Sequence, residues 1–574
     1  MNARSGWRRT IELACIVLAV WMSGCGPRVL PADMVLHNGK IATVDAAKPH
    51  AEAIAIRGDV IAAVGTNEEI ERYIGESTQV IDLAGMLAVP GLIEGHGHFT
   101  GLGEAKMNLD LTRAANWDEI TAMVAEAVKK TKPGDYILGR GWHQEKWDRK
   151  PSPAVEGFPV HDSLSRISPD NPVLLTHASG HATFANSKAM ALAGITRRTP
   201  NPPGGEILHD SRGNPIGIFR ETASGLLRKA YAEVRSNRTP EEVQAEARKV
   251  VELAVKECLS KGITTFHDAG ASFETIDLYR KIAEEGALGI RLWVMIREDN
   301  KSLESNLAKY RMIDSGGKHL TVRAIKVTLD GALGSRGAWL LEPYADSATS
   351  TGLNTVRIED LKQTARLAIQ NDVQLCVHAI GDRANRETLN VYEEAFLAFP
   401  DKKDLRWRIE HAQHLNASDI PRFGALGVIP AMQGIHCTSD APYVPARLGP
   451  QRAEEGAYVW QKLMKTGAII SNGTDTPVED INPIASYHAT VSRKLKDGSV
   501  FYADQRMSRD EALKSYTWNA AYSGFEENGK GSLSPGKLAD ITVLSKDILT
   551  IPEDEIPTAS VKYTIVGGRV MYKQ

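Results

Sequence analysis

Short apolar runs of strand length recur along the chain, and between most of them apolar residues return every three or four positions, as on one face of a helix. Eight such runs, at 87–93, 264–268, 290–296, 323–329, 373–378, 406–411, 428–433 and 468–473, are largely apolar on successive residues. A strand covered on both faces reads this way, which points to a parallel sheet with helices outside it. One helix start is sharply signalled. Thr239 can cap it, Pro240 fits the first helical position, Glu242 completes a capping box, and Val251, Ala254, Val255 and Cys258 follow at helical spacing. Strand and helix in eightfold alternation predict an α/β fold of the (β/α)8, TIM-type barrel class over 87–527. The rhythm breaks after the first strand, so 100–260 is expected to contain an inserted lid or substrate-shaping segment. The two ends of the chain differ from the middle. Residues 34–82 and 538–570 show short β-type runs punctuated by Asn-Gly and Gly-Asp turns, which predicts one small β-domain assembled from 31–86 and 528–574.

Composition adds exclusions. The chain has 574 residues, 42% hydrophobic and 24% charged, with a formal net charge of −3. That balance offers no basic surface for neutralising phosphates, so no nucleic-acid partner is expected. Residues 1–25 read as a leader: Arg4, Arg8 and Arg9 precede an apolar run from Leu13 to Trp21, then Met22-Ser23-Gly24-Cys25. This resembles the lipobox of bacterial lipoproteins, although Met22 stands where Leu is usual. The resemblance implies an exported bacterial protein, membrane-attached through a lipidated Cys25 and facing the periplasm or exterior. A plain secretory signal and an uncleaved anchor are the alternatives, the apolar run being shorter than the roughly 20 residues of a comfortable span. Beyond the leader only Cys258, Cys376 and Cys437 remain. An odd number without paired spacing supports neither a disulfide framework nor a zinc–thiolate site.

Active sites of barrels lie at the C-terminal ends of the strands. The first run leads into Glu94-Gly-His96-Gly-His98, and residues two apart in a strand face the same side, so both imidazoles aim at one point. The fourth run carries Lys326, the fifth ends in His378, the sixth in His411, and Asp475 follows the eighth. Each has a structural alternative: a satisfied core histidine, a His411–Glu410 pair, a helix cap at Asp475, a Lys326–Asp330 ion pair. Five strand ends delivering nitrogen and oxygen to one mouth favour a metal site.

The ordered set of HxH, Lys, His, His and Asp resembles the amidohydrolase superfamily. Pro90-Gly-Leu-Ile-Glu-Gly-His-Gly-His98, Lys326-Val-Thr-Leu-Asp-Gly331, Val377-His-Ala-Ile-Gly-Asp382, Ile409-Glu-His-Ala-Gln413 and Gly473-Thr-Asp475 are similar to its family 3 branch, that of N-substituted formamide deformylase-like and YtcJ-like proteins. Glu94-Gly95 departs from the more usual Asp-Ser, and His209 from an Arg-Asp. The resemblance implies two zinc ions per chain. His96 and His98 would hold one together with Asp475, His378 and His411 the other, and an N6-carboxylated Lys326 would bridge them; a one-metal site is the alternative. It further implies hydrolysis of a non-peptide C–N bond in a small molecule, such as an N-acyl or N-formyl amine or a cyclic amide, with Asp475 as the catalytic proton carrier. Trp142, His181, Glu221, Arg336, Gln433 and His436 are candidate substrate contacts. A metal-dependent esterase or isomerase, and a non-catalytic binding protein on the same scaffold, are the competing readings. The sequence leaves the oligomeric state open.

Overall fold

The computed structural model describes residues 29–236 and 238–574; the leader read in residues 1–25 lies outside them. All eight expected strands are present: β1 (Leu92–Gly97), β2 (Ile263–Ala271), β3 (Arg291–Ile296), β4 (Leu320–Thr328), β5 (Gln374–Ala379), β6 (Arg408–His411), β7 (Ile429–Gln433) and β8 (Ser471–Gly473). They pair in chain order, every neighbour parallel, into a nearly closed barrel.

The β8–β1 seam closes by a different device. Asp475 donates its backbone N–H to His96 O at 2.8 Å, and His98 donates to Thr476 O at 2.7 Å. Thr474 adds a bond from its N–H to the Glu94 carboxylate at 2.6 Å. The strands approach so closely that a Cβ at Gly95 would stand 2.4 Å from Asn472 O, and one at Gly473 would stand 2.6 Å from His96 N. Glycine is therefore required on both sides of the seam. The same contacts hold His96, His98 and Asp475 in fixed register.

The sequence-predicted strand at 87–93 proves to be two. Leu87–Pro90 turns away from the barrel and pairs antiparallel with Ile541–Leu544, while Leu92 begins β1. Gly91 is the break: a Cβ there would meet Thr264 Oγ1 at 2.2 Å, and its N–H bonds Asp540 O. Strands from both termini thus share one sheet, and apolar side chains such as Leu36, Ile54, Ile541 and Ile565 form the core beneath it. The β-domain is tied to the barrel by a buried bidentate pair, Arg291 on β3 with Asp540, at 2.7 and 2.9 Å.

The insertion is a folded unit with its own sheet, in the order Gly205–His209, Pro215–Glu221, Ala182–Ala185, Val173–His177, Ile137–Trp142, Leu109–Asp110. Trp117, Trp142, Phe158 and Phe184 fill a core separate from that of the barrel. Helix Pro240–Ser260 leads back to β2, capped by Thr239 and Glu242 as the sequence predicts.

Candidate metal centre

At the mouth of the barrel, buried His96, His411 and Asp475 each offer a ligand atom, and all three atoms lie within 4.8 Å of one another. The hydrogen bonds behind the rings settle which nitrogen is free. His96 Nδ1 donates to Glu410, whose carboxylate is gripped by Arg408 at 2.7 and 2.9 Å. Burial opposes that charge, but Arg408 and His96 hold Glu410 well below the usual carboxylate range. His411 Nδ1 lies 2.7 Å from Gln433 Oε1, and Gln433 in turn donates its amide to Ala431 O at 3.0 Å, fixing the oxygen as the acceptor. Both imidazoles therefore carry the proton on Nδ1 and present the Nε2 lone pair inward. His96 Nε2 and Asp475 Oδ1 are buried without a hydrogen-bond partner. Orphaned acceptors of this kind are costly in a protein interior unless a cation completes them. The donor set, imidazole nitrogen with carboxylate oxygen, suits zinc.

The backbone is strained at the same points. His411 adopts φ 74° and Asp475 φ 59°, left-handed values that non-glycine residues avoid, and such strain persists where the surroundings enforce it. Burial drives His96, His378 and His411 below the ordinary histidine value, and His98 down to about 4, so the rings are neutral, as metal ligands must be.

His98 Nε2 stands 3.2 Å from Asp475 Oδ1, and His411 adjoins both expected ligand sets, its ring centroid 4.7 Å from that of His96 and 4.4 Å from that of His378. His378 Nε2 lies 3.5 Å from Asp330 Oδ1, although its ring centroid is 4.4 Å from that of His411. Lys326 projects from β4 into the same cavity, lowered to about 8 by burial and by the like charge of Arg297. It does not pair with Asp330, which accepts backbone N–H groups from Trp339, Ile380 and Gly381 at 2.8, 3.0 and 2.8 Å.

Of the candidate substrate contacts, His181 and Glu221 line the main cavity, His436 lines a smaller one beside it, and the other three line neither. His181 faces the site from the insertion, its Nδ1 2.6 Å from Glu221 Oε2 and its ring centroid 5.0 Å from that of His378. Desolvation opposes a proton on it, but Glu221 outweighs this and raises its pKa. Glu221 itself sits at φ 49°. His436 Nε2 lies 3.9 Å from Asp475 Oδ2. Trp142 is instead a core side chain, donating its indole N–H to Leu175 O at 2.9 Å; its neighbour His143 lines the same small cavity as His436. Gln433 is placed behind His411. Arg336 turns to Asp346 at 3.1 Å and fixes its own loop. Sequence reasoning missed the Arg408–Glu410 support of His96. The readable signal was opposite charges two apart on one buried strand, which therefore share a face.

The cavity in front of this centre has a volume of about 920 Å3 and is bounded by both the barrel and the insertion. An amidohydrolase family model matches residues 79–572. The protein LONG AFTER FAR-RED 3 of Arabidopsis thaliana is 33% identical over 95% of this chain and 92% of its own length. The putative amidohydrolase YtcJ of Bacillus subtilis is 30% identical over 94% and 99%, and the N-substituted formamide deformylase of Arthrobacter pascens 26% over 94% and 98%. Among solved structures, an uncharacterized metal-dependent hydrolase from Pyrococcus horikoshii superimposes with a TM-score of 0.71 at 25% identity, covering 91% of this chain and 99% of that one. The ordered candidate ligands, the barrel that carries them and these full-length similarities lead to one conclusion: the chain belongs to the amidohydrolase family.

Proposed function

We propose that the protein is a metal-dependent hydrolase that cleaves a non-peptide C–N bond, such as that of an N-acyl or N-formyl amine or a cyclic amide. The observation that carries this reading is the convergence of His96, His411 and Asp475, with both imidazole Nδ1 protons engaged behind them and unpartnered acceptors in front. The similarity to a formamide deformylase supports the bond class.

His96, His98, His411 and Asp475 would hold one divalent ion, with zinc the metal that fits the donors. When bound, it supplies Lewis acidity, polarising a carbonyl and acidifying water. His378 and an N6-carboxylated Lys326 are the groups for a second ion, because an ammonium offers only donors whereas a carbamate is an anion with two oxygens. The remaining steps belong to the side chains. Asp475 takes the proton of the attacking water and returns it to the leaving nitrogen. His181, held by Glu221, presents a ring N–H to the carbonyl oxygen. The insertion covers the mouth and limits water. The leader supports export with lipid on Cys25, so labelled palmitate should enter the wild type and be absent from Cys25→Ser.

A panel of N-formyl amines, N-acyl amines, cyclic amides and matched esters, assayed with added zinc, tests the reading. The expected result is amide turnover that falls at least about 1,000-fold in Asp475→Asn. Turnover of esters alone, or of nothing, would refute it.

A further inference from the structure

Three cavities meet around the metal-centre residues. The main one is described above. A small one of about 40 Å3 adjoins it, and Ser179, His181, His378, His411 and Asp475 line both. A second large cavity, of about 820 Å3, adjoins the small one in turn, sharing Lys146, Ala178, Val478 and Glu479 with it. Exposed Lys106, Lys496 and Asp497 are among its lining residues, so it opens to solvent. The small cavity therefore lies between two large ones.

The partitions are held in different ways. Arg140 and Pro477 line both large cavities, and there Arg140 donates to Ala178 O at 3.1 Å and to Pro477 O at 3.4 Å, tying the insertion to the segment after β8. Between the small cavity and the second large one, Ala178 and Val478 are short side chains, and of the four shared residues only Lys146 and Glu479 bond to one another, at 2.8 Å. Lys146 comes from the insertion, in the turn Gln144–Lys146, and Glu479 from the segment after β8. Both side chains keep some exposure, 34% and 17%. A pair screened by water in this way contributes about 1 kcal/mol or less, so it parts at little cost.

Hydrolysis of an amide breaks the C–N bond, adds the OH of water to the carbonyl carbon and its H to the nitrogen, and leaves a carboxylic acid and an amine. The small cavity has room for about three water-sized groups, which admits only a short acid and assigns a larger amine to the main cavity. An acid formed on that side is enclosed behind the amine. We propose that the second large cavity is its separate exit, reached through a door made by the Lys146–Glu479 pair, while the amine leaves by the main cavity. As the pair parts, the Lys146 ammonium meets the departing carboxylate in place of that of Glu479. The identity of the product rests on the hydrolytic reading above; the meeting of the three cavities does not.

A reversible lock tests the door. Lys146→Cys with Glu479→Cys, joined by a bis-methanethiosulfonate spacer, closes it, and a phosphine reductant reopens it. The native Cys258, Cys376 and Cys437 are buried, and peptide masses establish that the spacer joins the introduced pair. Steady-state hydrolysis of N-formyl and N-acetyl amines is then measured on the zinc-supplemented protein, locked and reduced. Release follows bond cleavage, so locking should lower kcat about 10-fold, leave kcat/KM unchanged and be undone by the reductant. Val478→Trp, which fills the same partition, should behave as the locked form, with its unfolding temperature showing that it is folded. Equal kcat in the locked and reduced forms, or a fall in kcat/KM as large as that in kcat, would overturn the proposal. Absence of turnover in the reduced form and in wild type would refute the hydrolytic reading and the exit with it, an outcome distinct from turnover that ignores the lock.

Discussion

The barrel and the insertion face the same cavity but are built by opposite rules. On the barrel side the functional groups are buried, their backbones are strained at His411 and Asp475, and their rings are locked from behind by Glu410 and Gln433. On the insertion side Arg140 is held by the carbonyls of Ala178 and Pro477, Arg228 has no carboxylate partner among the described residues, and His181 is braced by Glu221. Fixed geometry comes from strand ends and their supporting bonds; reach and charge come from the inserted sheet and helix. The difference suggests a division of labour in which the barrel fixes the chemistry and the insertion selects what enters.

Asp475→Asn should break the barrel side most completely, lowering kcat/KM by about 1,000-fold or more in steady-state assays while thermal unfolding changes little. Next in size is a purely structural effect. Removing one partner of the buried Arg291–Asp540 pair, as in Arg291→Ala, should cost about 3–5 kcal/mol in denaturant unfolding. Asp540 is held below its unfolded value by Arg291 although burial works against it. The pair's contribution is therefore complete above about pH 4 and is lost as pH falls through the folded value, so wild type and variant should converge in acid.

Two carboxylates in the same role on opposite walls sharpen the comparison. Glu410→Gln should weaken metal affinity about 10- to 100-fold in competition titrations, since the residue orients His96. Glu221→Gln, behind His181, should leave metal content unchanged and lower kcat/KM instead. Equal effects on metal affinity would erase the distinction. Trp142→Phe should be the mildest, costing about 1 kcal/mol through the lost bond to Leu175 O with activity retained.

The barrel was legible in the sequence because its strands are continuous apolar runs and the candidate ligands sit at their ends. HxH spacing exposed His96 and His98, and chain order exposed His411 and Asp475. What stayed hidden depends on contacts between distant segments. The pairing of Glu410 with His96, 314 residues away, is invisible to periodicity, and so is the turn at Gly91 that moves Leu87–Pro90 into the β-domain. In the insertion Trp142 and His143 adjoin, yet one is core and the other lines a small cavity beside the main one. A Trp-His pair carries no signal of which faces inward once the strand bulges, as it does between Arg140 and Trp142.

The central claim is that His96, His411 and Asp475 hold a metal. Elemental analysis of the purified wild type beside folded His96→Asn and His411→Asn variants tests it most directly, with a mass measurement of the Lys326 peptide to reveal a carbamate. The account predicts at least one zinc-type ion per wild-type chain and its loss from both variants. Metal retained in both variants, or none taken up by wild type supplied with zinc, would contradict it.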